Sequence, residues 1–279
     1  MSATAGLDRS SRAGVGLLIA IALCGVLAPW ISPYDPGRPD LRHSLEGPSL
    51  EHWLGTDVEG RDVASRILYG ARVSLSVALA VVVISVGFGV LIGGIAGLFG
   101  GWVDRGLSAV IDVLLAFPGI LLAIALIAIT GPGLGNVILA LTLLGWVSFA
   151  RLVRGEVLVR RGDEFVVAAR ALGATQRELL LRHLLPNLVG PVTVQATFAA
   201  AGAILAEASL SFLGLGVQGL PSWGGMLDHG ADVFLLAPHL AIAPGLAILL
   251  SVVALNFVGD GLRDWLDPRT ATASGQPGL

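Results

Sequence analysis

The sequence predicts an all-α membrane protein: six transmembrane helices, both termini cytoplasmic, a long first outer loop and one large cytoplasmic loop. Three observations predict it. The 279-residue chain is 54% hydrophobic and only 13% charged, against about 25% charged residues in a soluble domain, and its mean hydropathy is +0.82. Six apolar runs approach the roughly 20 residues that cross a bilayer. The 17 basic residues, all Arg, are shared unevenly between the connections that those runs define.

The runs are residues 15–31, 73–98, 107–129, 134–150, 188–213 and 235–258, with Asp112 in the third, Glu207 in the fifth and His239 in the sixth. Arg9 and Arg12 precede the first run, and Val26-Leu27-Ala28 loosely fits a signal-peptide cleavage site. Pro29 follows at once and more spans come after, so the run reads as a retained span behind a cytoplasmic segment 1–14. Placing the N-terminus inside leaves five Arg outside, namely Arg38, Arg42, Arg61, Arg66 and Arg72, and the other 12 inside, as the positive-inside rule expects. The membrane domain then covers 15–269, with an outer loop at 32–72, a cytoplasmic loop at 151–187 and a small polar tail at 270–279 expected to be disordered.

The outer loop opens on SPYDPGRPD, and an amphipathic helix is expected from Asp62 to Tyr69. It reads either as a spacer or as a surface that meets a partner. Gly89, Gly93, Gly97 and Gly101 recur every four residues, the spacing of close helix packing. GPGLGN at 131–136 is a turn, since no βαβ context surrounds it. The last outer loop, GVQGLPSWGGMLDHG, lacks Arg and reads as a folded-back segment.

Several activities are excluded. Without Lys there is no P-loop of the GxxxxGK[ST] type and no Schiff-base chemistry. Cys24 is alone, so no intrachain disulfide or multi-Cys metal site forms. No HExxH occurs among the five His. Asp112, near the inner end of its run, reads as structural, within reach of interfacial water or Arg105. His239 reads as interfacial. Glu207 is the sharpest intramembrane candidate: it either faces a water-filled path or struts neighbouring backbone through a polar network with Ser209 and Ser211. No two of these make a catalytic pair, so no enzyme activity is expected. An ion-coupled transporter would need an internal repeat or broken midplane helices, and no clear repeat is visible.

The most polar segment between long apolar runs is DEFVVAARALGATQRELLLRHLLPN, residues 163–187. Asp163 and Glu164 suit a helix N-terminus. Phe165, Val166, Ala169 and Leu172 lie close to one helical face. Gly173 suits a left-handed helix end, and Thr175 to Glu178 is a capping box opening a second helix. Pro186 is expected to end or kink that helix. Local physics leaves two readings open: an ordinary amphipathic segment on the membrane surface, or a rigid helix–corner–helix.

The order Ala168-Ala169, Gly173, Leu185-Pro186 resembles the cytoplasmic "EAA" loop of ABC importer permeases. With LGTDVEGRDVASRILYGARVSL (54–75), FGGWVDRGL (99–107), LLAFPGILLAIAL (114–126), ARLVRGEVL (150–158), RHLLPN (182–187), EASLSFLGLGVQ (207–218) and GDGLRDWLDPR (259–269), the chain is similar to the second permease of dipeptide, oligopeptide and nickel importers. Val167 stands where the wider motif has Glu, so that Glu's salt bridge is not expected here, and His183 stands where an apolar residue is common. The resemblance implies a bacterial inner-membrane permease that pairs with a second permease. It implies two ATPase subunits inside, which hydrolyse the ATP, and a substrate-binding protein outside. It implies no cofactor and no nucleic acid, with membrane lipid around the spans. It assigns ATPase coupling to Glu164, Phe165, Ala168, Ala169, Leu172, Gly173, Leu185 and Pro186. A di- or oligopeptide is the implied solute, with a nickel chelate or another small solute such as glutathione as the alternative.

Overall fold

The computed structural model describes residues 8–266; the tail expected at 270–279 lies outside them. The described chain is helical with no strand, and its one β-bridge joins Thr56 and Asp62. Its helices are α1 (Arg9–Ile31), α2 (Val63–Phe99), α3 (Gly101–Leu115), α4 (Gly119–Thr130), α5 (Leu134–Arg160), α6 (Glu164–Ala171), α7 (Gln176–Glu178), α8 (Leu185–Phe212), α9 (Trp223–Asp232) and α10 (His239–Leu266). Five continuous helical segments are long and apolar enough to span, and α3 with α4 make a sixth if the bent pair is one span.

The second span differs from its expectation. The amphipathic helix at Asp62–Tyr69 and the apolar run 73–98 form one 37-residue helix, α2. At 1.5 Å per residue this is about 55 Å long, well beyond the ~30 Å hydrocarbon layer, so α2 projects out of the bilayer. It starts where Asp62 accepts Ser65 N–H at 2.7 Å. It ends where Gly100 takes φ +63, a conformation glycine adopts without strain.

The third span, expected to be one run over 107–129, is broken. The axes of α3 and α4 differ by 83°. Pro118 is the cause: it has no N–H to continue the ladder and disfavours the helical conformation at Phe117. The halves are about 22 Å and 18 Å long, so neither crosses alone.

The central core brings Val77 and Val81 of α2, Ala140 of α5, Ile204 and Leu210 of α8 and Leu255 of α10 together. The α2–α5 contact rests on the glycine stripe. A Cβ at Gly89 or Gly93 would run into Phe149 Cβ or the Ala150 carbonyl oxygen, and one at Gly97 would lie 2.8 Å from Val157 Cβ. Gly101 does not belong to this seam; it opens α3 with φ +56, and a Cβ there would meet open space. The last loop does fold back: Trp223 of α9 is buried, its Nε1–H donates to Ile67 O at 3.1 Å, and Gly224 lies against Ala208.

Residues 32–62 form an ordered lid. Asp57 Oδ1 accepts the backbone N–H of Glu59 and of Arg61, both at 2.9 Å, while its Oδ2 accepts Arg61 Nε–H at 2.8 Å. His52 Nδ1 lies 2.9 Å from Asp62, tying the lid to the cap of α2. The backbone at Gly60, φ +74, passes so close to Asp40 that any Cβ would collide with its carbonyl. On the exposed rim, the hydrogen bond that His43 Nδ1–H donates to the Glu46 carboxylate raises the pKa of His43.

Candidate functional site

The loop after α5 is built from local signals. α5 continues to Arg160, so the first ten residues of the expected loop 151–187 are helical. α6 starts with Glu164 in its first turn, and Asp163 makes no side-chain cap bond. It ends in a Schellman turn: Ala174 N–H donates to Ala169 O at 3.1 Å, Gly173 N–H donates to Arg170 O at 3.0 Å, and Gly173 has φ +90. The capping box follows at once. Thr175 N–H donates to Glu178 Oε2 at 2.9 Å, and Glu178 N–H donates to Thr175 Oγ1 at 3.2 Å. Both helix ends at the corner are therefore satisfied within five residues, and the corner is stiff.

Pro186 neither ends nor sharply breaks the second helix. Residues Leu179–Leu184 form a π-helical stretch, and the chain runs on as α8. Leu185 N–H reaches back to Leu180 O, and Asn187 Nδ2 donates to His183 O at 2.7 Å. The wider turn accommodates a residue with no N–H to give. The corner is thus covalently and helically continuous with the span carrying Glu207.

The expected single face of α6 splits in two. Val166 and Ala169 are buried against Val153, Val157, Leu179 and Leu184. Phe165 and Leu172 point away, 44% and 90% exposed, as do Glu164, Ala168 and Gly173. Leu185 is half-buried beside the same cluster, whereas Pro186 is exposed. Ala169 is therefore a packing residue of this chain, not part of its outward surface. At 100° per residue Val166 and Leu172 lie about 120° apart with Ala169 and Phe165 between them, so one edge of the apolar stripe is buried and the other exposed.

Two ion pairs hold α3 against α5 just above this base. Asp104 pairs with Arg154 and Asp112 pairs with Arg151, the latter at 2.9 Å. The expected Asp112–Arg105 proximity is not used; Arg105 lies over the Trp102 ring, 4.3 Å from its centroid. The Asp112–Arg151 pair brings together two residues 39 apart in sequence.

Glu207 is fully buried and hydrogen-bonded through both carboxylate oxygens. It accepts Ser74 Oγ–H at 3.0 Å from α2 and Ser211 Oγ–H at 2.7 Å from its own helix. Ser222 Oγ–H donates on to Ser211 Oγ at 3.3 Å. Ser209 takes no part, donating instead to Leu205 O. Ser74 and Ser222 gave no signal in sequence, being 133 and 15 positions from Glu207. Glu207→Leu should strand the Ser74 and Ser211 hydroxyls, about 1–3 kcal/mol for each; Glu207→Gln keeps an acceptor and should cost less. Thermal unfolding of detergent-purified protein checks this, and equal midpoints for the two variants would contradict it. His239 is half-buried under the lid, with Nε2 beside Gly55 and no hydrogen-bond partner among the described residues.

Residues 89–272 match the family described as "Binding-protein-dependent transport system inner membrane component". The chain belongs to that family. It is a multi-pass inner-membrane permease of a bacterial transport system. A dipeptide transport system permease protein of Alkalihalophilus pseudofirmus is 43% identical over 266 residues, 94% of this chain and 88% of the relative. A glutathione transport system permease protein of Shigella dysenteriae is 48% identical over 255 residues, 91% of this chain and 83% of the relative. Among solved structures, the inward-facing MetNI methionine ABC transporter aligns with a TM-score of 0.54 at 22% identity, covering 70% of this chain and 95% of that one. That last likeness supports the permease fold alone. Transport in this family depends on a binding protein, and the fold that serves it here presents a capped helix corner at one end and an ordered lid at the other.

Proposed function

We propose that this permease is one of two membrane subunits of an ATP-driven importer for short peptides. The corner formed by α6 and α7 is its cytoplasmic contact with an ATPase. The observation that carries the reading is the stiff, doubly capped corner that leaves Phe165 and Leu172 exposed on a base packed through Val166 and Ala169. An exposed apolar pair on a rigid support is what a docking helix offers a cleft on another protein. Because the corner runs helically into α8, a displacement imposed there is transmitted to the span that holds Glu207 and, through Ser74, to α2. Two ATPases and a second permease complete the assembly, and ATP hydrolysis takes place on the ATPases. A substrate-binding protein delivers solute to the side bearing residues 32–62. Peptide is favoured over nickel because the relatives at 43% and 48% identity are named for dipeptide and glutathione transport.

Two measurements test the reading. In a Cys24→Ser background, cysteines at Ser49 and Gly219 should label from outside intact cells, and one at Gln176 only after permeabilisation. All three positions are exposed, so failure to label reports sidedness rather than burial, and external labelling at 176 would overturn the assignment. The reconstituted transporter should then take up labelled dipeptide only with ATP and binding protein together. Uptake of nickel without uptake of peptide would refute the solute.

A further inference from the structure

We propose that the cavity between the lid and the 213–222 connection binds the C-terminal carboxylate of a peptide entering the outer mouth. This proposal rests on the peptide-importer reading above. The cavity holds about 440 Å³ and is lined by Arg61 and Arg66, the glycine-rich turn at Gly216, the first turn of α9 at Ser222, and Asp228 and His229 further along α9. That volume lies in the range of small-ligand sites.

Arg66 is the reason to expect an anion. It is only 8% exposed, yet its charge is poorly matched. Its Nη1–H reaches Pro36 O at 3.3 Å, and its Nε stands 3.5 Å from Asp57 Oδ2, too far for a full hydrogen bond. These are its only side-chain polar contacts among the described residues. Asp57 is already committed, accepting two backbone N–H groups and Arg61 Nε–H. Arg61 also holds Glu59 at 2.9 Å. A guanidinium has five N–H donors in a fixed fork, so most of those on Arg66 remain free at the cavity wall. A carboxylate is the anion whose two oxygens fit that fork.

Two further features fit a free peptide. α9 is ten residues long, and its N-terminal turn, capped by Ser222, contributes to the same wall; the positive end of a helix dipole favours an anion there. Asp228 enters no ion pair among the described residues and offers its carboxylate to an ammonium group. Arg66 and Asp228 put opposite charges in one cavity, as the two free termini of a short peptide require. The recess of Arg66 below the surface also favours a small ligand over a side chain on a flat docking face. At its floor, Ser222 donates to Ser211 and so connects the cavity to Glu207.

The test uses the complete transporter in nanodiscs without binding protein, with Cys24→Ser and His229→Cys. Position 229 is exposed and lines the cavity. The rate at which an uncharged thiol reagent modifies it is read against alanyl-alanine and alanyl-alanine amide. Alanyl-alanine should slow modification, and the amide should need on the order of ten-fold higher concentration for equal protection, the loss expected for one charge-assisted contact. Arg66→Gln should erase the difference, and Arg66→Lys should keep part of it. If Arg66→Gln does not assemble, the comparison of the two peptides in the Arg66 protein still decides. Equal protection by both peptides, or no protection by either, overturns the proposal. So does protection that appears only when loaded binding protein is added, which would assign Arg66 to a carboxylate of that partner. ATP-driven uptake of alanyl-alanine by the transporter with binding protein is measured in parallel. If uptake fails, the peptide-importer reading itself is wrong. If uptake proceeds while the thiol stays unprotected, only the carboxylate site is wrong.

Discussion

Gly93→Leu is expected to abolish the packed α2–α5 seam and with it most of the folded protein. A Cβ at Gly93 would press on the Ala150 backbone, with Ala150 Cα 2.9 Å away. Backbone cannot swing aside as a flexible side chain can, so the helices must separate. Overpacking costs typically 1–3 kcal/mol. Here the cost falls on a contact that also aligns Gly89 and Gly97 with α5, so neighbouring contacts are lost with it. Within a bilayer, helices associate through close packing rather than hydrophobic exclusion, so no other force restores the seam. Gly87 is the matched control: it lies on the same helix with open space around it, and Gly87→Leu should be neutral or mildly stabilising because Leu is a better helix former. The measurement is the yield and thermal midpoint of detergent-purified protein. Equal behaviour of the two variants would show that the seam does not carry the fold.

Leu172→Glu should remove ATPase association while leaving the permease intact. Leu172 is 90% exposed, so a charge there costs this chain almost nothing; it harms only a partner that must bury it. Phe165→Glu should act in the same way. Ala169→Glu should do the opposite: Ala169 is buried among Val153, Val157, Val166 and Leu179, and an unpaired carboxylate there costs several kcal/mol. Its loss of coupling should therefore come with a fall in stability. Gly173→Val lies between them. Its side chain would meet open space, but φ +90 is strained for a β-branched residue, at a cost of about 1–3 kcal/mol confined to the corner. Co-purification of the ATPase subunits, read beside the thermal midpoint, separates the cases. If the Leu172→Glu and Phe165→Glu proteins bind ATPase like the unaltered protein, the exposed pair is not the docking face.

Properties that depend on neighbours along the chain are legible in the amino-acid order. Hydropathy over some 20 residues decides whether a segment enters lipid, and it located the apolar stretches of every span. The Gly173 corner and the Thr175–Glu178 box were readable because a cap involves residues within four or five positions of one another. The motifs around Glu207 and Gly173 also carried enough order to point to the family. Which way side chains face and what they meet follows from the packing of the helices. An eight-residue helix has two adjoining apolar sides, and nothing local separates Val166, turned inward, from Leu172, turned outward. The Asp112–Arg151 pair joins two helices across 39 positions of sequence, a distance that no local signal spans. The partner of Glu207 is Ser74, 133 residues away, and Arg66 becomes a buried, under-matched charge only once the lid closes over it. Burial and long-range pairing are properties of the packed chain, because they depend on contacts that no window of sequence contains.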